Sequence, residues 1–185
     1  MLTKTNSYKP EAKDGILVGR AAGKNLLDQL MGIIAASPAG SVIPLNFEKI
    51  RFIDFSSADE FLGKLVSRLL SGEFRDIYVC LEKMTPEVEE TLDAALKLRG
   101  QNAVVLGADG AAKILGKINP VLKDTFDLIN DLKELSARGL ADKKGIAINA
   151  SSNRLTKLQG LGLIARAGTS SGKGAEQYVY RTLVV

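Results

Sequence analysis

Residues 136–183 read SARGLADKKGIAINASSNRLTKLQGLGLIARAGTSSGKGAEQYVYRTL, and the fold of the C-terminal third turns on this stretch. Two short helical patterns flank Gly145. Ser136 is placed to cap the first, through about Lys143, and Asn149 to cap or begin the second, through about Gly160. Residues 163–166 and 177–183 have strand composition, and the loop GTSSGKGA at 168–175 joins them. At helical spacing Ser151, Leu155 and Leu158 project to one side of the second helix. Asn149, Asn153, Thr156 and Lys157 project to the other, with Ser152 and Arg154 on the flanks. That outer set holds amides, hydroxyls and cations and no carboxylate.

Working outward, Leu122, Phe126, Ile129 and Leu132 form a helical stripe just upstream, after a boundary at 116–120. Before it, strand and helix patterns alternate. Residues 15–18 form a short strand. A helix over 22–36 carries Leu26, Leu27, Leu30, Met31 and Ile34. Strand-like runs lie at 41–47 and 50–55. An amphipathic helix over 57–70 carries Phe61, Leu65 and Leu69. A buried-type strand occupies 76–81. Thr85-Pro86-Glu87 opens a helix that runs to Arg99 and stops at Gly100. Residues 103–106 read as a strand and 111–115 as a short helix. This alternation predicts an α/β sheet with helices packed on it. The first 14 residues are polar and read as a flexible arm or an edge segment.

Composition narrows the chemistry. The 185 residues include no histidine and one cysteine. A Ser-His-Asp triad, a Cys-His dyad and a Cys/His metal site are therefore excluded, as is an intramolecular disulfide. Cys80, inside the apolar run IYVCL, reads as buried strand filler. No apolar run approaches membrane-span length, and the N-terminus has no secretory pattern, so a cytoplasmic location is expected. Gly19-Arg-Ala-Ala-Gly23-Lys24-Asn25 is one residue short of a phosphate loop, with Asn where Ser or Thr would hold a metal, and reads as a strand-to-helix turn. Acidic residues at 59, 60, 87, 89 and 90 sit at helix starts, where the helix dipole favours them. No catalytic residues, metal or cofactor are expected.

Charge is unevenly spread. Residues 1–120 carry 15 Lys/Arg and 15 Asp/Glu, whereas residues 136–185 carry 8 against 2. A basic end behind a neutral one suggests a polyanionic partner for the C-terminal part.

The run Ser152-Asn153-Arg154-Leu155-x-Lys157-Leu158-x-x-Leu161-Gly162-Leu163-Ile164, closed by Tyr178-Val-Tyr-Arg, resembles the recognition helix and wing of bacterial winged helix-turn-helix regulators. The resemblance covers about sixty residues. It implies double-stranded DNA as partner, with Asn149, Ser152, Asn153, Arg154, Thr156 and Lys157 in the groove and Arg166 and Lys173 at the wing and flanking backbone. It also implies a homodimer on paired half-sites.

The N-terminal part resembles the STAS domain (sulfate transporter and anti-sigma-factor antagonist). Leu45-Asn46-Phe47 and Phe52-Ile53-Asp54-Phe55-Ser56, followed by a helix, carry the likeness. Ser56-Ser57-Ala58-Asp59-Glu60-Phe61-Leu62 is closer still to a STAS-like family of unassigned function. Coverage runs from about Gly15 to Leu115. In anti-sigma antagonists the strand ends in Asp-Ser-Ser-Gly, whose second Ser is phosphorylated. That position falls on Ser56 here, with Ser57 in place of the Gly. Ser56 and Ser57 also each fit the S-x-x-D/E signature of a helix start, so capping is the other reading of these residues.

The expected architecture is an N-terminal arm over 1–14, an α/β STAS-like domain over 15–118, and a mainly α winged helix-turn-helix domain over 119–185. The expected function is DNA-binding transcriptional regulation, with the STAS-like half sensing a signal or meeting a regulatory protein. The alternative is an anti-sigma-type partner-switching protein that uses its winged helix for protein contact.

Overall fold

Val42 and Ile43 are neighbours on one strand and point to opposite faces of its sheet, yet both are buried. Covering both faces is the organising fact of the computed structural model, which describes residues 2–107, 110–170 and 177–184. Five strands form the central sheet: β1 (Thr3–Lys4), β3 (Ser41–Asn46), β5 (Tyr78–Glu82), β6 (Asn102–Leu106) and β7 (Ala112–Gly116). They lie in the order β1-β3-β5-β6-β7, parallel except for the β6–β7 pair. A separate parallel pair, β2 (Ile16–Leu17) with β4 (Phe52–Ile53), aligns Ile16 with Phe52 and Leu17 with Ile53. Leu17 and Ile53 are buried, whereas Ile16 and Phe52 face solvent.

Ile43, Leu45, Val79, Leu81, Val105 and Leu115 line the first face. Helix α1 (Arg20–Ala36) covers it with Leu26, Leu30 and Ile34, and α4 (Pro86–Arg99) with Val88, Leu92 and Leu96. Between them runs a continuous helical stretch: α2 (Phe55–Ala58), one π-helical turn (Asp59–Gly63) and α3 (Lys64–Leu70). Its Phe61 ring meets Phe47 edge-on at 6.3 Å. Helix α1 can approach this stretch only because residue 23 is glycine: a Cβ there would sit 2.4 Å from the Ser57 carbonyl oxygen. Asp59 pairs with Arg99, which ties the π-helical turn to the end of α4.

The second face carries Val42, Tyr78, Cys80 and Val104. These side chains belong to the same buried cluster as Leu122, Phe126 and Ile129 of α5 (Pro120–Leu132), Leu140 of α6 (Ala137–Lys144), and Leu155 and Leu158 of α7 (Ile148–Gly160). A three-stranded antiparallel sheet, β8 (Glu134–Ser136), β10 (Gln177–Thr182) and β9 (Ile164–Ser170) in the order β8-β10-β9, completes this half. The residues between β7 and α5 are too few to act as a spacer. Asn119 caps α5 by accepting the Val121 N–H at 2.8 Å, and Pro120 takes the first helical position. The two halves are therefore layers of one packed body: helices, sheet, then helices with a small sheet. Cys80 lies at the centre of the middle layer, where burial pushes its thiol up to about 12 and leaves no reactive thiolate at neutral pH.

Two expectations are corrected, and two further features are added. Residues 111–115, expected as a short helix, form most of β7, because hairpin pairing with β6 supplies the hydrogen bonds a five-residue helix would lack. The N-terminal segment, expected as a flexible arm or an edge segment, lies along the edge of β3, with Thr5 N–H to Val42 O at 3.0 Å and Tyr8 N–H to Pro44 O at 2.8 Å. The strand Glu134–Ser136 was not anticipated. The helix after β4 begins at Phe55, capped by neither Ser56 nor Ser57. Asp54 is the cap: one carboxylate oxygen accepts the Ser57 N–H at 2.7 Å and the other accepts the Gly19 N–H at 2.9 Å. Asp54 therefore organises the starts of both α1 and α2.

Two outcomes follow from this packing. Phe126→Ala, in the shared core, is expected to cost about 3–5 kcal/mol. Urea unfolding followed by circular dichroism and by tyrosine fluorescence should still give one coincident transition, since the halves share a layer; two separated transitions would contradict the shared core. Asp54→Ala is expected to cost about 1 kcal/mol through the lost cap. Burial raises the Asp54 carboxyl, but the N–H bonds from Ser57 and Gly19 outweigh it and hold the folded value below the ordinary one. Its contribution is thus fully present above the unfolded value of about 4 and lost as pH falls through the folded value. The gap between wild type and variant should narrow in urea titrations below about pH 4.

Candidate nucleic-acid interface

Local chemistry sets up the helix pair α6–α7. Ser136 accepts the Gly139 N–H at 3.1 Å and starts α6. Gly139, a poor helix former, sits in this first turn, where a Cβ would crowd Leu135 at 3.2 Å. At the other end Gly145 adopts φ 62°, and the Ile146 N–H returns to Ala141 O at 3.2 Å. Gly145, Ile146 and Ala147 make the turn, and α7 begins at Ile148. Ala147, not Asn149, is the cap residue, and it offers no side-chain acceptor. The amides that open α7 therefore lack a capping side chain, and its first turn holds no acid.

Helix α7 turns Ser151, Leu155 and Leu158 into the core. Asn149, Asn153, Thr156 and Lys157 are exposed, and Ser152 and Arg154 are half-buried beside them. Six of the nominated side chains thus share one helix face. Three acids of this half are paired with cations other than those of α7: Asp124 with Lys144 at 2.8 Å, Asp127 with Lys123 at 2.7 Å, and Glu134 with Arg181 at 2.8 Å. Among the described residues neither Arg154 nor Lys157 forms an ion pair, so both charges face solvent uncompensated. Lys143, exposed in the last turn of α6, adds a cation beside the turn. It was counted in the basic C-terminal charge but not singled out, because its facing depends on how α6 seats on α7.

Arg166 is placed differently. Its guanidinium carbon lies 4.5 Å from the Tyr178 ring centroid, and its side chain borders a groove shared with Asp76 and Tyr78 of the other half. It does not join the outer face of α7. Lys173 lies outside the described residues.

Ser56 occupies the second position of α2, half-buried, directly after the Asp54 cap. Its neighbour Ser57 is fully buried and donates its hydroxyl to Gly19 O at 2.8 Å, which locks α2 to α1. Of the two serines only Ser56 has a partly accessible hydroxyl. Phe52 and Phe55 nearby, with Ile16 and Val18 on the adjoining segment, are exposed apolar side chains.

Among the described residues no group of three or more His, Cys, Asp or Glu side chains is arranged to hold a metal, and no helix is long and apolar enough to cross a membrane. No protein-family model matches the chain, and no curated protein matches it in sequence.

Proposed function

We propose that the chain is a DNA-binding transcriptional regulator that acts in the cytoplasm as a homodimer. In this reading residues 119–185 form a winged helix-turn-helix and α7 is its recognition helix. The element order α5-β8-α6-α7-β9-β10 supports the reading, since it supplies a helix, a short strand, a helix–turn–helix pair and a two-stranded hairpin in sequence. The observation that carries it is the outer face of α7. Amide and hydroxyl side chains that can read base edges stand beside two unpaired cations, with no carboxylate among them. Phosphate oxygens can also accept from the uncapped amides at the start of α7.

The first half is the STAS-like part of this regulator. A protein partner for it is supported by the exposed Phe52 and Phe55 flanking Ser56. The same observation favours the second reading, an anti-sigma-type partner-switching protein in which the C-terminal half also serves protein contact.

The readings separate in a gel-shift series with duplex DNA at increasing salt. A regulator binds with a steep salt slope. Arg154→Ala and Lys157→Ala should each weaken binding and, where the side chain contacts phosphate, lower the slope by about 1. Slopes unchanged in both variants would remove α7 as the interface, and absence of any shift at low salt would favour the partner-switching reading. Light scattering should give a dimer in the presence of a duplex carrying two half-sites; a monomer both with and without DNA would end that part of the proposal.

A further inference from the structure

The two halves do not close completely against each other. Where the end of α3 meets the end of α7 they leave an open cavity of about 390 Å³, within the size range of small-molecule sites. One wall is apolar, formed by Val66, Leu69 and Leu70 of α3 and by Phe74 of the following loop. The opposite wall is the terminus of α7, with Leu161 and Gly162. Three of the carbonyls that close this helix, those of Lys157, Leu158 and Gln159, accept the Leu161, Leu163 and Gly162 N–H groups at 2.9–3.1 Å.

The lining carries two cations and one carboxylate. Arg75 and Arg166 bring two guanidiniums to it, and among the described residues neither forms an ion pair. Arg166 lies against Tyr178, with its guanidinium carbon 4.5 Å from the ring centroid, an arrangement that leaves N–H edges to offer. The Asn102 amide also borders the cavity, but its N–H is donated to Leu115 O at 3.3 Å. Asp76 is the one carboxylate of the lining, and the Tyr78 hydroxyl faces it. An apolar wall beside two guanidiniums suits a ligand with an apolar body and one anionic end.

We propose that this cavity binds a small organic acid with an aromatic or branched apolar body. The body lies on Val66, Leu69, Leu70 and Phe74, and the acid group meets Arg166 and Arg75. The site does not use the outer face of α7: the residues invoked lie at the far end of that helix, in the other half, or, for Arg166, on β9. What such a ligand does is brace the two halves. Leu70 lies close to Gly162, where a Cβ would meet it at 3.3 Å and where φ is +70°, so the end of α3 approaches the turn after α7 at the rim.

The full-length chain is titrated with 8-anilinonaphthalene-1-sulfonate, an aryl anion of suitable size, and the bound dye is competed with phenylacetate and separately with phenethylamine. The expected result is one saturable dye site per chain, displaced by phenylacetate and not by the amine. Its affinity should fall about tenfold in Arg166→Gln combined with Arg75→Gln and stay within twofold in Phe52→Gln, which alters the exposed patch elsewhere. No saturable site, displacement by the amine, or loss of binding in Phe52→Gln with retention in the arginine variant would overturn the proposal. Since the arginine variant could lose its fold, amide NMR of the unaltered chain provides a second readout. Phenylacetate should shift the amides of Gly72, Gly160 and Gly162, and shifts confined to other regions would equally overturn the site.

Discussion

Burial of both faces of the central sheet is the constraint on which the rest of the structure depends. A mostly parallel sheet places its crossover helices on its faces, and here α1, the α2–α3 stretch and α4 all fall on one of them. The other face would expose Val42, Tyr78, Cys80 and Val104, an apolar strip too continuous to leave in water. The C-terminal helices supply the missing layer. Phe126 and Ile129 of α5 and Leu155 and Leu158 of α7 reach one cluster with those strand residues. The cost of separating the halves is therefore the exposure of a core, which is larger than that of a typical linker-joined interface.

This constraint orders the site as well. Helix α7 is held from behind by the shared core and from its end by Leu70 against Gly162, so its outer face is presented on a rigid support. Among the described residues Arg154 and Lys157 form no ion pair, while Asp124, Asp127 and Glu134 are held by Lys144, Lys123 and Arg181. Such surface pairs contribute little to stability. Their consequence is electrostatic: each offsets one negative charge of this half.

The sequence made some of this legible and hid the rest for definable reasons. Period alone separates Ser151, Leu155 and Leu158 from the outer residues of α7, and the Thr85-Pro86 and Ser136 caps mark their helices, because these signals are local. Residues 112–116 were misleading because five residues are too few to show a period, and their partner strand β6 determines their state. The three residues of β8 pair with a strand more than forty positions later, for which nothing nearby gives a signal. Ser56 and Ser57 matched a capping pattern, yet Asp54 won the position because its two oxygens satisfy two helix starts at once. Arg166 looked like a wing residue by its place in the strand, and only the packing of Tyr178 beneath it and Asp76 across from it turns it toward the groove. In Tyr78-Val79-Cys80-Leu81 the sequence indicates burial on both sides but cannot say that one cover is a helix layer and the other a separate-looking module.

That last ambiguity bears on mechanism. A regulator built from two tethered domains transmits a signal by changing how often they meet. In this chain the halves meet through a shared core, so under the proposed function a signal acting on the first half would have to pass through packed contacts that have few alternative arrangements. The rim where α3 approaches the end of α7 is one place where the packing is incomplete, since a cavity of about 390 Å³ lies there. Helix α7 is thirteen residues long, about 20 Å, and a rigid helix displaced at one end moves its other end with it. Its cavity-facing terminus and its outer polar face are therefore mechanically one element. An occupant of the cavity gains influence over the outer face only to the extent that it binds one seating of α7 better than another, and the close approach of Leu70 to Gly162 is a place where two such seatings would differ.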